Sequence, residues 1–336
     1  MNAAPAKARD PYWDIVRGIA ILLVILGHSI HTAMGVEAFG SRLIYSFHLP
    51  LFMFISGWFF SGTLRHPAHR IVVQKFLMLV MPCIVCGTID YLADHPEGIS
   101  TQLHLIKWYG RVITSLWFLL ALFICSMIVL LGERLFKQHS IWFYLFVFAL
   151  FFVTPDFMKQ AGAKYLFPSF LFGFYLKRYN GIEWFRRHKW PVLASCLVVF
   201  LLLFGIYTYE KGSFYHLRFY LFSGIDRPSV ILFWNIYRIL IGLAGCILIM
   251  AGIRFLYEKC RSLFLWKVIS RIGIHSYGMY IASVYLWLIY LNKLQPLIPI
   301  RHNYGYVMAL FAAKVLISYP LGILIEKGIQ ACLPKK

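Results

Sequence analysis

Hydrophobic residues along this chain come in long runs, not in one-sided stripes. Between Tyr12 and Ala33 the ionisable side chains are Asp14, Arg17, His28 and His31, and nearly everything else is apolar or small. A helix that crosses a bilayer needs about 20 such residues. Nine more runs follow, at about 43–62, 71–92, 114–132, 140–153, 165–176, 191–209, 232–253, 273–291 and 305–325. The pattern predicts an all-α integral membrane protein: a single domain over residues 1–336, with about ten transmembrane helices and no sizeable soluble domain. The fifth and sixth runs are short for a crossing helix, and Pro155 and Pro168 flank their connection. The stretch 254–271 is basic with scattered apolar residues and reads as a loop carrying an interfacial helix.

Composition agrees. The 336 residues are 60% hydrophobic and 14% charged, where a soluble domain carries about 25% charged residues. A net charge of +20 would ordinarily suggest nucleic acid, but the basic residues fall mainly in alternate loops. That is the positive-inside pattern, so membrane lipid is the expected partner and nucleic acid is not. The clusters Lys177, Arg178, Arg186, Arg187, Lys189 and Arg254, Lys259, Arg261, Lys267, Arg271 put both termini in the cytoplasm of a multi-pass cell-membrane protein. Seven scattered cysteines suggest no disulfide framework, and Cys83-Ile-Val-Cys86 lies in an apolar run with no second ligand pair, so no metal site is expected. The N-terminal run is too long for a cleavable signal peptide. No internal repeat is visible, which weighs against a secondary transporter.

Ionisable groups within a membrane helix are costly and tend to mark function. Arg17 and His28 are eleven residues apart. At about 100° per residue they share one helix face, about 16 Å apart along the axis. They can hold two ends of one extended ligand. The alternative is that Arg17 snorkels to the headgroups and His28 bonds a neighbouring helix.

Here a family resemblance enters. The Arg17-to-His28 spacing resembles the first-helix signature of the membrane-bound acyltransferase family 3. Phe47-His-Leu-Pro-Leu-Phe-Met-Phe-Ile-Ser-Gly-Trp-Phe-Phe60 is similar to the second-helix motif of its fucose 4-O-acetylase-like branch. Leu116-Trp-Phe-Leu119 and Ser276-Tyr-Gly-Met-Tyr-Ile281 resemble later motifs. The resemblance implies a ten-helix O-acyltransferase acting on sugars, with acetyl-CoA as donor substrate and no bound cofactor. Two departures stand out. Arg65 and Arg70 have four residues between them where relatives often show Arg-x-x-Arg, and Ser283 stands where relatives often have His.

Orientation gives the candidate residues a depth. His28 lies five residues from the outer end of the first run and His48 five residues into the second, so both sit about 7.5 Å deep. Trp117, Asn235 and Arg238 begin runs on the same outer side. These residues are expected to line the acceptor site. The outer loop from Tyr207 contains Tyr209, Phe214, Tyr215, Phe219, Tyr220, Asp226 and Arg227, which suits a sugar or an interfacial aromatic belt. On the inner side Arg65, His69, Arg70 and Lys75 can clasp donor phosphates or simply obey the positive-inside rule. Lys314, near the middle of the last run, must face a cavity or partner, Glu326 reads as solvated, and His31 as an outer-face polar residue.

The expected function is O-acetylation of a sugar hydroxyl on a surface polysaccharide or its lipid-linked precursor. His28 would serve as general base or covalent acyl carrier, since neutral imidazole accepts a proton near working pH. Arg17, fixed by Asp14 one turn earlier, would hold the donor, with Arg65 and Arg70. The rival is a transporter or flippase with an Arg/His/Lys pathway.

Overall fold

The computed structural model describes residues 10–153, 162–210, 226–289 and 302–333. All regular structure among them is helical. In chain order the helices are α1 (Pro11–Met34), α2 (Phe39–Thr63), α3 (Ala68–Asp94), α4 (Gln102–Ser115), α5 (Trp117–Leu135), α6 (Ser140–Val153) and α7 (Ala163–Arg178). Then come α8 (Gly181–Arg187), α9 (Lys189–Gly205), α10 (Pro228–Lys259), α11 (Phe264–Ile274), α12 (Ser276–Ile289) and α13 (Tyr304–Cys332).

Among the described residues six helices are long and apolar enough to cross a membrane: α1, α2, α3, α5, α10 and α13. A seventh crossing results if α8 and α9, which meet at 88°, count as one bent span. The expected ten is therefore not reached. The described part of the fifth run, α6, has 14 residues, the sixth run's helix α7 has 16, and the described part of the ninth, α12, has 14.

Two segments differ in kind from the expectation. The stretch before the fourth run contains α4, an amphipathic helix capped by Thr101, whose side chain accepts from the His104 N–H. It buries Val112 and Ile113 and exposes Leu103 and Ile106. The supposed loop at 254–271 is mostly helix: α10 runs on to Lys259, with an Arg254–Glu258 ion pair, and α11 follows. One side of α11 exposes Phe264 and Leu265, as an interfacial helix would, but the other docks on α1.

That docking is backbone against backbone. A Cβ at Gly18 would lie 2.1 Å from the Ile269 carbonyl oxygen, and one at Gly273 would lie 1.7 Å from that of Asp14. The α2–α7 pair is built the same way, with Gly57 against the Phe170 carbonyl and Gly173 against that of Phe54. Apolar burial gives helices no drive to associate within lipid, so close packing through small residues holds them together. In α3 a π-helical turn at Phe76–Val80 adds a further local irregularity.

These contacts predict a sharp contrast between two glycines of α2. At Gly57 a Cβ would stand 1.9 Å from the Phe170 oxygen, whereas at Gly62 nothing lies within 4 Å. Gly57→Ala should destabilise the detergent-purified protein by about 1–3 kcal/mol, as overpacking does, and Gly62→Ala should not. Thermal unfolding followed by fluorescence size exclusion measures both; indistinguishable curves would contradict the packing.

Candidate functional site

The site starts from a defect in α2. Pro50 lies inside the helix and brings no N–H, so the Ser46 carbonyl one turn back has no helical donor. Arg238 of α10 supplies one. Its Nη1–H donates to the Ser46 oxygen, and its Nη2–H donates to the Tyr45 oxygen at 2.8 Å. The guanidinium is 2% exposed and lies 4.8 Å from the centre of the Tyr165 ring. One turn further along α10, Gly242 makes room for the proline: a Cβ there would be 2.8 Å from Pro50 Cγ. Asn235 is buried one turn before Arg238, its amide donating to the Ile231 oxygen at 2.8 Å. The Asn235 Oδ1 and Arg238 Nε atoms have no hydrogen-bond partner among the described residues.

The clamp fixes the turn that carries Tyr45 and His48. The Tyr45 hydroxyl lies 3.1 Å from His28 Nδ1 and 3.4 Å from His31 Nδ1. Its ring meets the His48 ring edge-on at 4.9 Å and the Tyr209 ring at 5.2 Å. His48 Nδ1 faces the Ile44 carbonyl at 2.8 Å and must donate to it, which leaves Nε2 as the acceptor in the neutral ring. Tyr209, four residues past the end of α9, is anchored by its N–H to Glu37 at 2.9 Å. Thus His28, His48 and Arg238 meet around Tyr45, with Asn235 one turn from Arg238 on α10.

Lys314 reaches the same place from α13. That helix starts level with the end of α1, where His302 Nδ1 donates to the Ala33 oxygen at 2.6 Å and Val307 packs on Ile30, Ala33 and Ile44. Lys314 is seven residues on, about 10 Å deeper. It is 4% exposed, and its ammonium has no hydrogen-bond partner among the described residues.

A second cluster forms at the other end of α1. Arg17 Nη1 lies 3.4 Å from Asp14 Oδ1, and the guanidinium lies 4.2 Å from the centre of the Phe59 ring. Trp13 stacks on Trp58 at 4.6 Å, and Lys177 Nζ sits 4.8 Å from the Trp58 ring. The result is a cationic, aromatic mouth made by α1, α2 and α7.

Other expected site residues lie elsewhere. Arg65 is exposed in the α2–α3 turn and Arg70 half-buried just beyond it. Arg134 braces that turn by donating to the carbonyls of Leu64 and His66 at 2.9 and 2.6 Å. Trp117 packs where α7 begins, 2.9 Å from where a Cβ on Gly162 would stand, behind Tyr165. Phe214, Tyr215, Phe219 and Tyr220 lie outside the described residues, while Asp226 and Arg227 are exposed at the start of α10. Ser283 is buried, bonded to the Tyr280 carbonyl. Glu326 is not solvated: it accepts from the Gly278 N–H at 2.9 Å and from His275 Nδ1 at 2.8 Å, capping α12. The sequence reading missed Tyr45, Trp13, Trp58, Phe59 and Lys177. Tyr45 was visible as the residue one turn before His48, and Trp58 stands within the second-helix motif.

Two clusters, one of imidazoles and one of cationic and aromatic groups, are thus joined by a single helix. The chain matches the acyltransferase-domain family over residues 10–324. It is 29% identical over 262 residues to nodulation protein NolL of Mesorhizobium japonicum, covering 70% of this chain and 69% of the relative. It is 30% identical over 219 residues to NolL of Sinorhizobium fredii, covering 60% of this chain and 58% of that relative. No solved structure matches. The chain belongs to the membrane-bound acyltransferase family 3 and is an acyltransferase of the multi-pass membrane type.

Proposed function

We propose that the protein transfers an acetyl group from acetyl-CoA to a sugar hydroxyl, on a surface polysaccharide or its lipid-linked precursor. The observation that carries the reading is the meeting of His28, Tyr45 and His48 at one end of α1, with Arg17 at the other. The mouth around Arg17 offers a guanidinium, an ammonium and indole faces to a phosphorylated, aromatic donor head. Arg65 and Arg70 remain available at its rim for donor phosphates. The acyl arm then runs along α1, a distance of about 16 Å between the two residues. At the His28 end Asn235, Arg238 and Trp117 are proposed to line or back the acceptor's place. The transporter reading has no support from the family.

The chemistry follows from the hydrogen bonds. If His28 Nδ1–H donates to Tyr45 and the Tyr45 O–H donates to His31, then His28 Nε2 keeps its lone pair. That nitrogen takes the proton from the acceptor hydroxyl as its oxygen attacks the thioester carbon. The carbonyl π pair moves onto oxygen, and the Lys314 ammonium stabilises the anion in these low-dielectric surroundings. Collapse expels the coenzyme A thiolate, which recovers the proton from the imidazolium. The enzyme sits in the cell membrane with both termini cytoplasmic, so the Arg17 mouth meets cytosolic donor and the His28 end faces outward.

Acetyl transfer from labelled acetyl-CoA, in membranes with matched expression, tests the assignment. His28→Ala should lose at least about 100-fold, and Lys314→Met about 10²- to 10³-fold. Arg17→Ala should abolish donor use and His31→Ala should cost little. Near-normal transfer by His28→Ala beside an inactive His48→Ala would contradict the catalytic assignment.

Orientation has its own test. Reporter fusions at the C-terminus and within 179–188 should read cytoplasmic, and fusions within 96–100 should read external. The opposite result would place donor and acceptor on the wrong sides.

A further inference from the structure

We infer that the turn between α3 and α4 is a binding site for a divalent metal of the zinc class, held by His95, Glu97 and His104. Glu97 Oε1 lies 3.2 Å from His95 Nδ1 and 3.9 Å from His104 Nε2. One donor atom from each residue falls within 4.8 Å of the others. Zinc bound at about 2.0–2.2 Å by nitrogen and oxygen spaces its donors roughly 3–3.5 Å apart, so a slight closure of the triangle suffices. The two imidazoles already face one another, 5.4 Å between ring centres and 28° between planes.

The partners behind these ligands are the ones a metal site needs. His104 Nδ1 lies 3.0 Å from Ser100 Oγ. When that nitrogen donates to the hydroxyl, Nε2 is left with its lone pair on the Glu97 side, the tautomer a metal requires. The turn is formed independently of any ion. Gly98 adopts φ +78° and donates its N–H to the His95 carbonyl at 3.0 Å. The Tyr91 hydroxyl donates to the Gly98 carbonyl at 3.2 Å, and the Thr101 hydroxyl caps α4. Below the turn Arg111 bridges Asp90 and Asp94 at 2.8 and 2.6 Å, and Trp108 donates to Thr88 at 2.9 Å, so the helices cannot splay.

Two nitrogens and one carboxylate oxygen suit a borderline cation such as zinc. Calcium and magnesium ask for oxygen ligands throughout and should be refused. With three protein ligands the fourth position is left to water. The site would tie α3 to α4 at the end of the bundle that carries the α1–α2 turn, beyond the place where Gly87 packs on the Val112 backbone.

The test uses the full chain without a polyhistidine tag, purified in detergent, stripped with EDTA and titrated with zinc chloride alone at neutral pH by calorimetry. One equivalent should bind per chain. His95→Ala, His104→Ala and Glu97→Gln should each weaken binding at least about 10-fold, and Ser100→Ala should weaken it measurably. His66→Ala, on another exposed turn, should change nothing. Binding should fade as pH drops through the imidazole range, because protonated rings cannot ligate. Size exclusion confirms that each variant is folded. Wild-type binding no tighter than that of the His95→Ala/His104→Ala double variant, or equal loss in His66→Ala, overturns the site.

Discussion

The Arg238 guanidinium, seated in the broken turn of α2, is the contact on which the rest of the site depends. In an apolar medium an unsatisfied carbonyl costs several kcal/mol. A proline in the middle of a membrane helix creates one, and it must be answered by another part of the protein. Here the answer comes from α10, and it carries a charge. Arg238 is paid for by two carbonyl oxygens and the face of Tyr165, not by a carboxylate. Because the fork engages consecutive carbonyls, it fixes the backbone from which Tyr45 projects and on which His48 follows one turn later. Tyr45 then fixes His28. A local defect in one helix thereby sets the geometry of a functional group on another.

The rest of the architecture protects that arrangement. Backbone contacts at Gly18 and Gly273 lock α1 to α11, and those at Gly57 and Gly173 lock α2 to α7. The α1–α2 pair can then keep Arg17 beside Phe59 at one end and His28 beside Tyr45 at the other. Lys314 enters from α13 as a buried cation that answers to no hydrogen-bond acceptor among the described residues. Such a group is tolerated where negative charge develops during a reaction, which is why it belongs to the proposed chemistry and not to the scaffold.

Much of this was legible in the chain. Arg17 and His28 share a face of α1 because eleven residues nearly complete three turns, and counting residues in from the ends of the runs put His48, Asn235 and Arg238 on the side of His28. What it could not supply was the link between them. Tyr45 looked like one aromatic among many until Pro50 and Arg238 gave its turn a reason to be rigid. Trp117 stands by Gly162 and Tyr165 at the start of α7, a neighbourhood that depth alone does not specify. Hydropathy marks ten runs, whereas six or seven helices among the described residues meet the length of a crossing, because α6, α7 and α12 have only 14, 16 and 14 described residues. It also read Glu326 as solvated, where the carboxylate caps a neighbouring helix. His95, Glu97 and His104 were not singled out because it takes the left-handed turn at Gly98 to bring the end of α3 and its turn against the first turn of α4.

The claim that Arg238 acts through Tyr45 can be tested by a double-mutant cycle on acetyl transfer. Arg238→Lys keeps the charge but cannot hold two carbonyls with one ammonium, and Tyr45→Phe removes the hydroxyl that meets His28. If the clamp serves to place Tyr45, the double variant should lose no more than roughly twice what Arg238→Lys loses alone, since coupled residues are not additive. Losses that simply multiply would show that the two residues act independently and would contradict the account.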